Sequence, residues 1–175
     1  EYRRQRQMCI RDSCSATRIT SDYTVEQLDA GHKARGFKRP VQTEPLKYIG
    51  YQYYIRKDGT VYPGRHEDEV GAHCKGWNNR SIGICYEGGL DASGKAADTR
   101  TPEQKDAINS LVNEICRRWK IVQVIGHRDI SPDTNNNGVI DHFERIKECP
   151  CYDVIPEYPS FIPNIVVQPL SLIHI

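Results

Sequence analysis

The chain has 175 residues, of which 38% are hydrophobic and 27% are charged, and its formal net charge at pH 7 is +1. This composition is ordinary for a globular protein, and the length predicts one domain with a substantial core. The near-neutral charge offers no basic field for nucleic acid, and no run approaches the roughly 20 apolar residues that a membrane span needs. Seven cysteines without regular spacing favour neither a disulfide scaffold nor a reducing compartment.

The two ends of the chain differ in character from the rest. Residues 1–13 read EYRRQRQMCIRDS and residues 170–175 read LSLIHI. Both are identified as translations of one transposon-end sequencing adapter, read in opposite orientations, although a natural basic arm and apolar tail are the alternative. We therefore expect the domain to cover residues 14–158, with residues 159–169 as a tail or linker. On this expectation the native start lies outside the sequence, which leaves localisation and any export signal open.

The first half of the chain predicts a helix, a hairpin and a strand. Thr24 can cap a helix over residues 25–35. Residues 51–62 predict a hairpin around Asp58-Gly59, because this dipeptide is a strong turn signal between two β-prone runs. Residues 81–86 predict a further strand.

The second half predicts a long helix, a buried strand and a short helix. Thr101 caps the long helix, Pro102 occupies its first position and Gln104 completes a capping box. Residues 121–125 predict a buried strand and residues 141–147 a short helix. The apolar residues of the long helix recur at helical spacing: Ile108, Leu111, Val112, Ile115 and Trp119. The irregular alternation predicts a single α/β domain with a mixed central sheet flanked by helices.

Two short stretches near the C-terminus carry metal-binding chemistry. His127 follows the strand predicted at 121–125, and Cys149 lies two residues after Lys147. A histidine and a cysteine can hold zinc beside the positive charge of the lysine. A zinc hydrolase normally uses three protein ligands and leaves the fourth position open, so a third ligand is needed.

Five stretches in order resemble one enzyme family: CSATR (14–18), YIGYQYYIRKDGTV (48–61), EVGAHCKGWNNRSIGICYEGG (69–89), GHRD (126–129) and KECP (147–150). Together they closely resemble zinc-dependent N-acetylmuramoyl-L-alanine amidases of the phage-lysozyme and peptidoglycan-recognition-protein type. The resemblance covers about residues 14 to 153. It implies hydrolysis of the amide between N-acetylmuramic acid and L-alanine, with peptidoglycan or muropeptides as partners and a phage, prophage or bacterial origin. We expect a monomer acting on the cell wall.

The resemblance implies a zinc site made of two histidines and a cysteine. His127 and Cys149 match two of these ligands, with Cys151 as a nearby alternative to Cys149. The first histidine of the family falls at Ser13, where a hydroxyl is a poor zinc donor. Because Ser13 lies in the adapter-like segment, we attribute this departure to truncation and not to an evolved loss of activity.

The resemblance also implies the catalytic partners. Tyr51 would orient or deprotonate the attacking water, and Lys147 would stabilise the developing oxyanion. His73 matches a position that lines the substrate groove, with a structural role as the alternative. Gln52 stands where phage-type relatives usually carry histidine, so no role is assigned to it.

A calcium-loop pattern lies between the two matched ligands. Gly138 permits the sharp turn that this pattern requires, and the alternative is an Asn-Gly turn with no metal. The oxygen donors would come from loop positions one, three, five, seven (a backbone carbonyl), nine and twelve: Asp133, Asn135, Asn137, Val139, Asp141 and Glu144.

Three functional hypotheses follow from these patterns. The first is a zinc-dependent peptidoglycan amidase. The second is a non-catalytic peptidoglycan-binding module, which the loss of a ligand at Ser13 would permit, and the third is an interaction domain built on the same fold. The native residue at position 13 discriminates between the first two.

Overall fold

The computed structural model describes residues 8–161, which form a sheet with helices on both of its faces. The strands are β1 (Met8–Cys14), β2 (Thr17–Arg18), β3 (Tyr53–Ile55), β4 (Val61–Pro63), β5 (Ser81–Tyr86), β6 (Gly89–Leu90) and β7 (Ile121–Gly126). The helices are α1 (Val25–Ala34), α2 (Pro102–Arg118) and α3 (Val154–Glu157), with 3-10 turns at Asn78–Arg80, His127–Ile130, His142–Glu144 and Pro159–Phe161.

Five strands form the main sheet in the order β4-β3-β5-β1-β7, while β2 and β6 pair separately. Strand β4 is antiparallel to β3, and the β3–β5, β5–β1 and β1–β7 pairs are parallel. The predicted mixed α/β sheet is therefore confirmed. The hairpin around Asp58-Gly59 and the strand at 81–86 are also present as predicted.

Both long helices begin at the capping boxes that the sequence predicts or permits. The Thr24 side chain accepts the Gln27 backbone N–H, and the Gln27 side chain accepts the Thr24 backbone N–H. Thr101 and Gln104 make the same reciprocal pair at the start of α2. These bonds satisfy N–H groups that the first helical turn leaves without partners, so each helix start is fixed locally.

The sheet separates two apolar clusters. The larger lies under α2, where Ile108 and Ile115 pack with Ile10 and Ile84. The smaller lies under α1 and contains Val25, Leu28, Ile49, Tyr54 and Cys85. Alternate residues of β5 contribute to opposite clusters, as the two-residue repeat of a strand requires.

The short helix predicted over 141–147 is wrong beyond its first turn, which spans His142–Glu144. Arg145 already has extended backbone, with φ −67° and ψ 115°. The Ile146 N–H then donates to the Ser131 hydroxyl, at 3.0 Å, and not to a carbonyl one turn back. This tertiary hydrogen bond ends the helix early. The sequence patterns also left α3 and the β2–β6 pair unassigned.

Strand β1 is an interior strand of the sheet, between β5 and β7, although its first six residues lie in the adapter-like segment. All seven residues are buried. The Arg11 guanidinium is 1% exposed, lies 4.1 Å from the centroid of the Trp77 ring, and has no hydrogen-bond partner for any of its three nitrogens. Asp12 accepts the Tyr152 hydroxyl at 2.5 Å through one carboxylate oxygen, while the other has no partner. A buried charge without full compensation is costly, so this strand is poorly suited to its position.

We expect Asp12→Asn to stabilise the protein more at pH 8 than at pH 5. Burial raises the pKa of Asp12 to about 7, whereas an unfolded aspartate titrates near pH 4. The contribution of this group to stability is thus fully present below pH 4 and is lost as the pH rises through 7. The full penalty at pH 8 is on the order of 4 kcal/mol, from the free energy per pKa unit. Thermal melts at both pH values, with Asp106→Asn on the exposed face of α2 as the control, would measure it. An equal gain at the two pH values would contradict the argument.

Candidate metal centre and active site

The candidate site lies where β1 and β7 end side by side. Asp12 is in register with Gly126, so the next residues along the two strands, Ser13 and His127, are brought to the same edge of the sheet. Cys149 reaches this edge from the C-terminal segment. The Cys14 backbone N–H donates to its sulfur at 3.2 Å. The Arg128 N–H donates to its carbonyl at 2.8 Å, so both sides of the site hold it.

His127 and Cys149 are in direct polar contact. Hydrogen bonds to the thiols of Cys149 and Cys74 raise the pKa of His127 to about 9. The hydrogen bond from Cys14, followed by the one from His127, lowers the pKa of Cys149 well below its usual range. The structure thus brings together two of the sequence-predicted ligands. Cys74 is a member of this site that the sequence patterns did not single out.

Position 13 supplies a weaker donor. The Ser13 hydroxyl shares a hydrogen bond with the Tyr51 hydroxyl. Within residues 8–161, no three histidine, cysteine, aspartate or glutamate side chains are grouped to hold a metal ion. The three positions that match the family's ligands supply one imidazole (His127), one thiol (Cys149) and one hydroxyl (Ser13), which is one strong donor short of a zinc site. Cys151, the alternative ligand, instead places its sulfur 3.9 Å from that of Cys14.

Tyr51 lies between two histidine rings. Its ring centroid is 5.8 Å from that of His73, in a stacked arrangement, and 5.7 Å from that of His32. Burial raises the pKa of Tyr51 well above its usual range, which keeps the phenol protonated near neutral pH. His73 is 8% exposed, so the groove position predicted for it is largely covered. A Cβ at Gly83 would lie 2.6 Å from the His73 ring, so the glycine in β5 makes room for this stack.

Helix α1 holds the backbone that leads into Tyr51. One Asp29 oxygen accepts the N–H groups of Tyr48 and Ile49, at 2.8 and 2.7 Å. One turn later, His32 Nδ1 accepts the Gly50 N–H at 3.0 Å. Burial lowers the pKa of His32 to about 4, so the ring is neutral at pH 7 and this nitrogen is free to accept. The three bonds fix the residues directly before Tyr51.

Lys147 and the predicted calcium loop lie on one exposed segment. Lys147 is exposed, as expected for a group that meets a substrate. The two Glu144 oxygens accept backbone N–H groups from Thr134, Asn135 and Asp141, at 2.6 to 3.0 Å. The N–H groups of Asn137 and Gly138 donate to Asp133. The loop therefore folds around its own carboxylates.

Comparison with known proteins identifies the family. The family model described as N-acetylmuramoyl-L-alanine amidase matches residues 12–150. The chain belongs to this family. The endolysin of Klebsiella phage KP32 is 35% identical to this amidase over 141 residues, which cover 81% of the chain and 78% of the endolysin. Peptidoglycan amidase activity, predicted from five motifs, is thereby confirmed at the level of the family.

Solved structures agree with the fold of this amidase. The endolysin amidase LysCS from Clostridium intestinale superimposes with a TM-score of 0.63 at 28% identity, covering 86% of this chain and 79% of its own. Bumblebee PGRP-SA gives a TM-score of 0.61 at 18% identity, covering 89% and 82%, a likeness in fold alone. No helix within residues 8–161 of this amidase is long and apolar enough to cross a membrane.

We expect Asp29→Ala to destabilise the amidase by about 1–3 kcal/mol, because it leaves the N–H groups of Tyr48 and Ile49 without an acceptor. Asp29→Asn keeps an oxygen at the same place and is the matched control, with a smaller loss. Urea unfolding would give the free energies, and hydrogen exchange at the two amides would show whether the loss is local. Equal losses in the two variants would contradict the assigned role.

Proposed function

We propose that this amidase hydrolyses the lactyl-amide bond between N-acetylmuramic acid and L-alanine through a zinc site at the ends of β1 and β7. The observation that best supports this proposal is the contact of His127 with Cys149. The hydroxyl groups of Ser13 and Tyr51 lie beside it. The two donors present are those that zinc prefers. In the protein that carries out the reaction, a histidine at position 13 would supply the third.

The remaining residues have distinct chemical tasks in this proposal. Zinc, when bound, would polarise the amide carbonyl and acidify a water molecule. The Tyr51 hydroxyl, held between the His32 and His73 rings, would orient that water as a protonated phenol. The Lys147 ammonium, exposed and two residues from Cys149, would stabilise the negative charge that develops on the carbonyl oxygen. Such a group typically lowers the barrier by about 3–4 kcal/mol.

The poor fit of β1 to its position supports a foreign origin of residues 8–13. Arg11 and Asp12 are buried in an interior strand without full hydrogen bonding. Buried parallel strands are ordinarily near-continuous runs of apolar residues. Two uncompensated charges next to Ser13 are therefore consistent with translated adapter sequence in place of the native strand. On this proposal Ser13 is no more native than its two neighbours.

A second candidate function is peptidoglycan binding without hydrolysis. The observation that favours it is the serine at position 13, whose hydroxyl interacts with Tyr51. With serine there, the site lacks one strong zinc donor. If the source gene encodes serine at position 13, a muropeptide could still occupy the groove without being cleaved. Sequencing the source DNA across codon 13 would decide this, because a continuous native reading frame there would rule out the adapter origin.

We expect Ser13→His to create a zinc site, with Ser13→Asn as a control of intermediate size that lacks an imidazole. Zinc affinity should rise on the order of 100-fold or more, since even changes outside the ligand shell alter it 10- to 100-fold. Isothermal titration would measure one zinc ion per chain, and chromatography of muropeptides would show zinc-dependent release of stem peptides. A Ser13→His protein that binds one zinc ion and cleaves nothing would refute the enzymatic proposal.

The catalytic assignments are separable from metal binding in the same background. Tyr51→Phe and Lys147→Ala should each lower kcat by about 10²- to 10³-fold, as loss of a group that positions the water or stabilises the oxyanion does. Zinc affinity should be unchanged in both variants. A parallel loss of zinc would show that these residues serve the metal site and not the reaction.

We also propose that the loop from Asp133 to Glu144 binds calcium. Its carboxylate and amide oxygens match the donor types and spacing of a calcium loop. Calcium should raise the melting temperature of the unaltered chain, and the double variant Asp133→Ala with Glu144→Ala should lose this shift. Glu144→Ala also removes acceptors of backbone N–H groups, so the calcium-dependent shift is the measure and not the absolute melting temperature. Magnesium is the control ion, and a melting curve unchanged by calcium would remove the proposal.

A further inference from the structure

Three cysteine sulfurs adjoin one another behind the candidate metal centre. The Cys14 and Cys151 sulfurs are 3.9 Å apart, and the Cys14 backbone N–H donates to the Cys149 sulfur at 3.2 Å. All three belong to the set of seven free cysteines. Cys14 is thus the middle member, with one candidate zinc ligand on one side and a cysteine of no assigned role on the other.

Cys14 and Ser13 face opposite sides of the sheet, because successive residues of a strand alternate. Cys14 is buried in the cluster under α2, and Cys151 packs against that cluster. The space that both sulfurs occupy depends on Gly89, where a Cβ would lie 2.5 Å from the Cys14 sulfur and 3.6 Å from the Cys151 sulfur. Gly89 also has a φ of +100°, a conformation that other residues rarely adopt. Only a residue without a Cβ therefore leaves room for the Cys14 sulfur at this position.

We infer that Cys14 and Cys151 are a redox-active thiol pair that closes to a disulfide with a low-molecular-weight disulfide such as oxidised glutathione. Closing the bond requires the sulfurs to approach from 3.9 Å to about 2.05 Å. Rotation of the two side chains about their Cα–Cβ bonds can supply this movement. Cys151 is partly exposed and Cys14 is buried, so the reagent meets Cys151 first.

The reaction is two successive thiol–disulfide exchanges. The Cys151 thiolate attacks one sulfur of oxidised glutathione, forms a mixed disulfide and releases one glutathione thiolate. The Cys14 thiolate then attacks the Cys151 sulfur and releases the second. Two protein thiols are oxidised and one glutathione disulfide is reduced to two glutathione molecules, so atoms and electrons balance.

Cys151 is a better partner for Cys14 than Cys149 is. The Cys149 sulfur already accepts the Cys14 backbone N–H and contacts His127, and a disulfide there would disrupt both interactions. A bond to Cys151 leaves these contacts intact. It ties the segment that carries Cys149 to β1, across 137 positions of sequence. The pair takes no part in the proposed hydrolysis, so its behaviour can be tested whether or not the chain is active.

The test is oxidation of the reduced full chain with oxidised glutathione at pH 8. We expect the titratable thiols to fall from seven to five, with the intact mass about 2 Da lower and no retained glutathione. Peptide mapping without reduction should link the peptide containing Cys14 to the one containing Cys151. The melting temperature should rise by several degrees, because a bridge that closes a long loop constrains the unfolded chain.

Single variants identify the partner, since trypsin leaves Cys149 and Cys151 on one peptide. The link should persist in Cys149→Ser and in the control Cys116→Ser, and it should disappear in Cys14→Ser and Cys151→Ser. A link that requires Cys149, or stable glutathione adducts in place of a link, would overturn the inference. So would a melting temperature that is the same before and after oxidation.

Discussion

The hydrogen bonding of β1 between β5 and β7 is the constraint on which the rest of the structure depends. This strand places Ser13 beside His127 at one edge of the sheet and turns Cys14 toward the core behind it. The Cys14 backbone N–H, at the end of the strand, then holds the Cys149 sulfur. An error of one residue in this register would exchange the two faces and separate the candidate ligands.

The opposite wall of the site depends on α1 and not on the sheet. Asp29 and His32, three residues apart on one face of the helix, accept the N–H groups of residues 48–50. The helix itself is fixed by the Thr24 capping box, so a local sequence signal ultimately places Tyr51. His32 performs this task only as a neutral ring, and its burial supplies that state.

Sequence reasoning recovered what local signals determine. The cap at Thr24, the capping box at Thr101 and the turn at Asp58-Gly59 are short-range patterns, and each appears in the structure. The site residues His127 and Cys149 were found through motifs that resemble one family, because no local rule joins positions 22 residues apart. The early end of the helix at Glu144 escaped prediction because a tertiary bond from Ile146 to Ser131 decides it. The sequence patterns did not identify Cys74 and His32 as residues of the site, because their partners are distant in sequence. Residues 8–13 fall outside the predicted domain because they match adapter sequence, yet their backbone is paired on both sides in β1 regardless of what its side chains require.

The bond between the Arg128 N–H and the Cys149 carbonyl has an evolutionary consequence. It joins the two ends of the segment between Arg128 and Cys149. The hydrogen bond from the Ile146 N–H to the Ser131 hydroxyl joins two further residues inside this segment. Most residues between these two hydrogen bonds are exposed, Val139 by 60% and Phe143 by 75%, although Glu144 is buried. Relatives could lengthen, shorten or replace this segment without displacing either candidate ligand. The segment is thus a place where new recognition surfaces can be grafted onto a fixed hydrolytic frame.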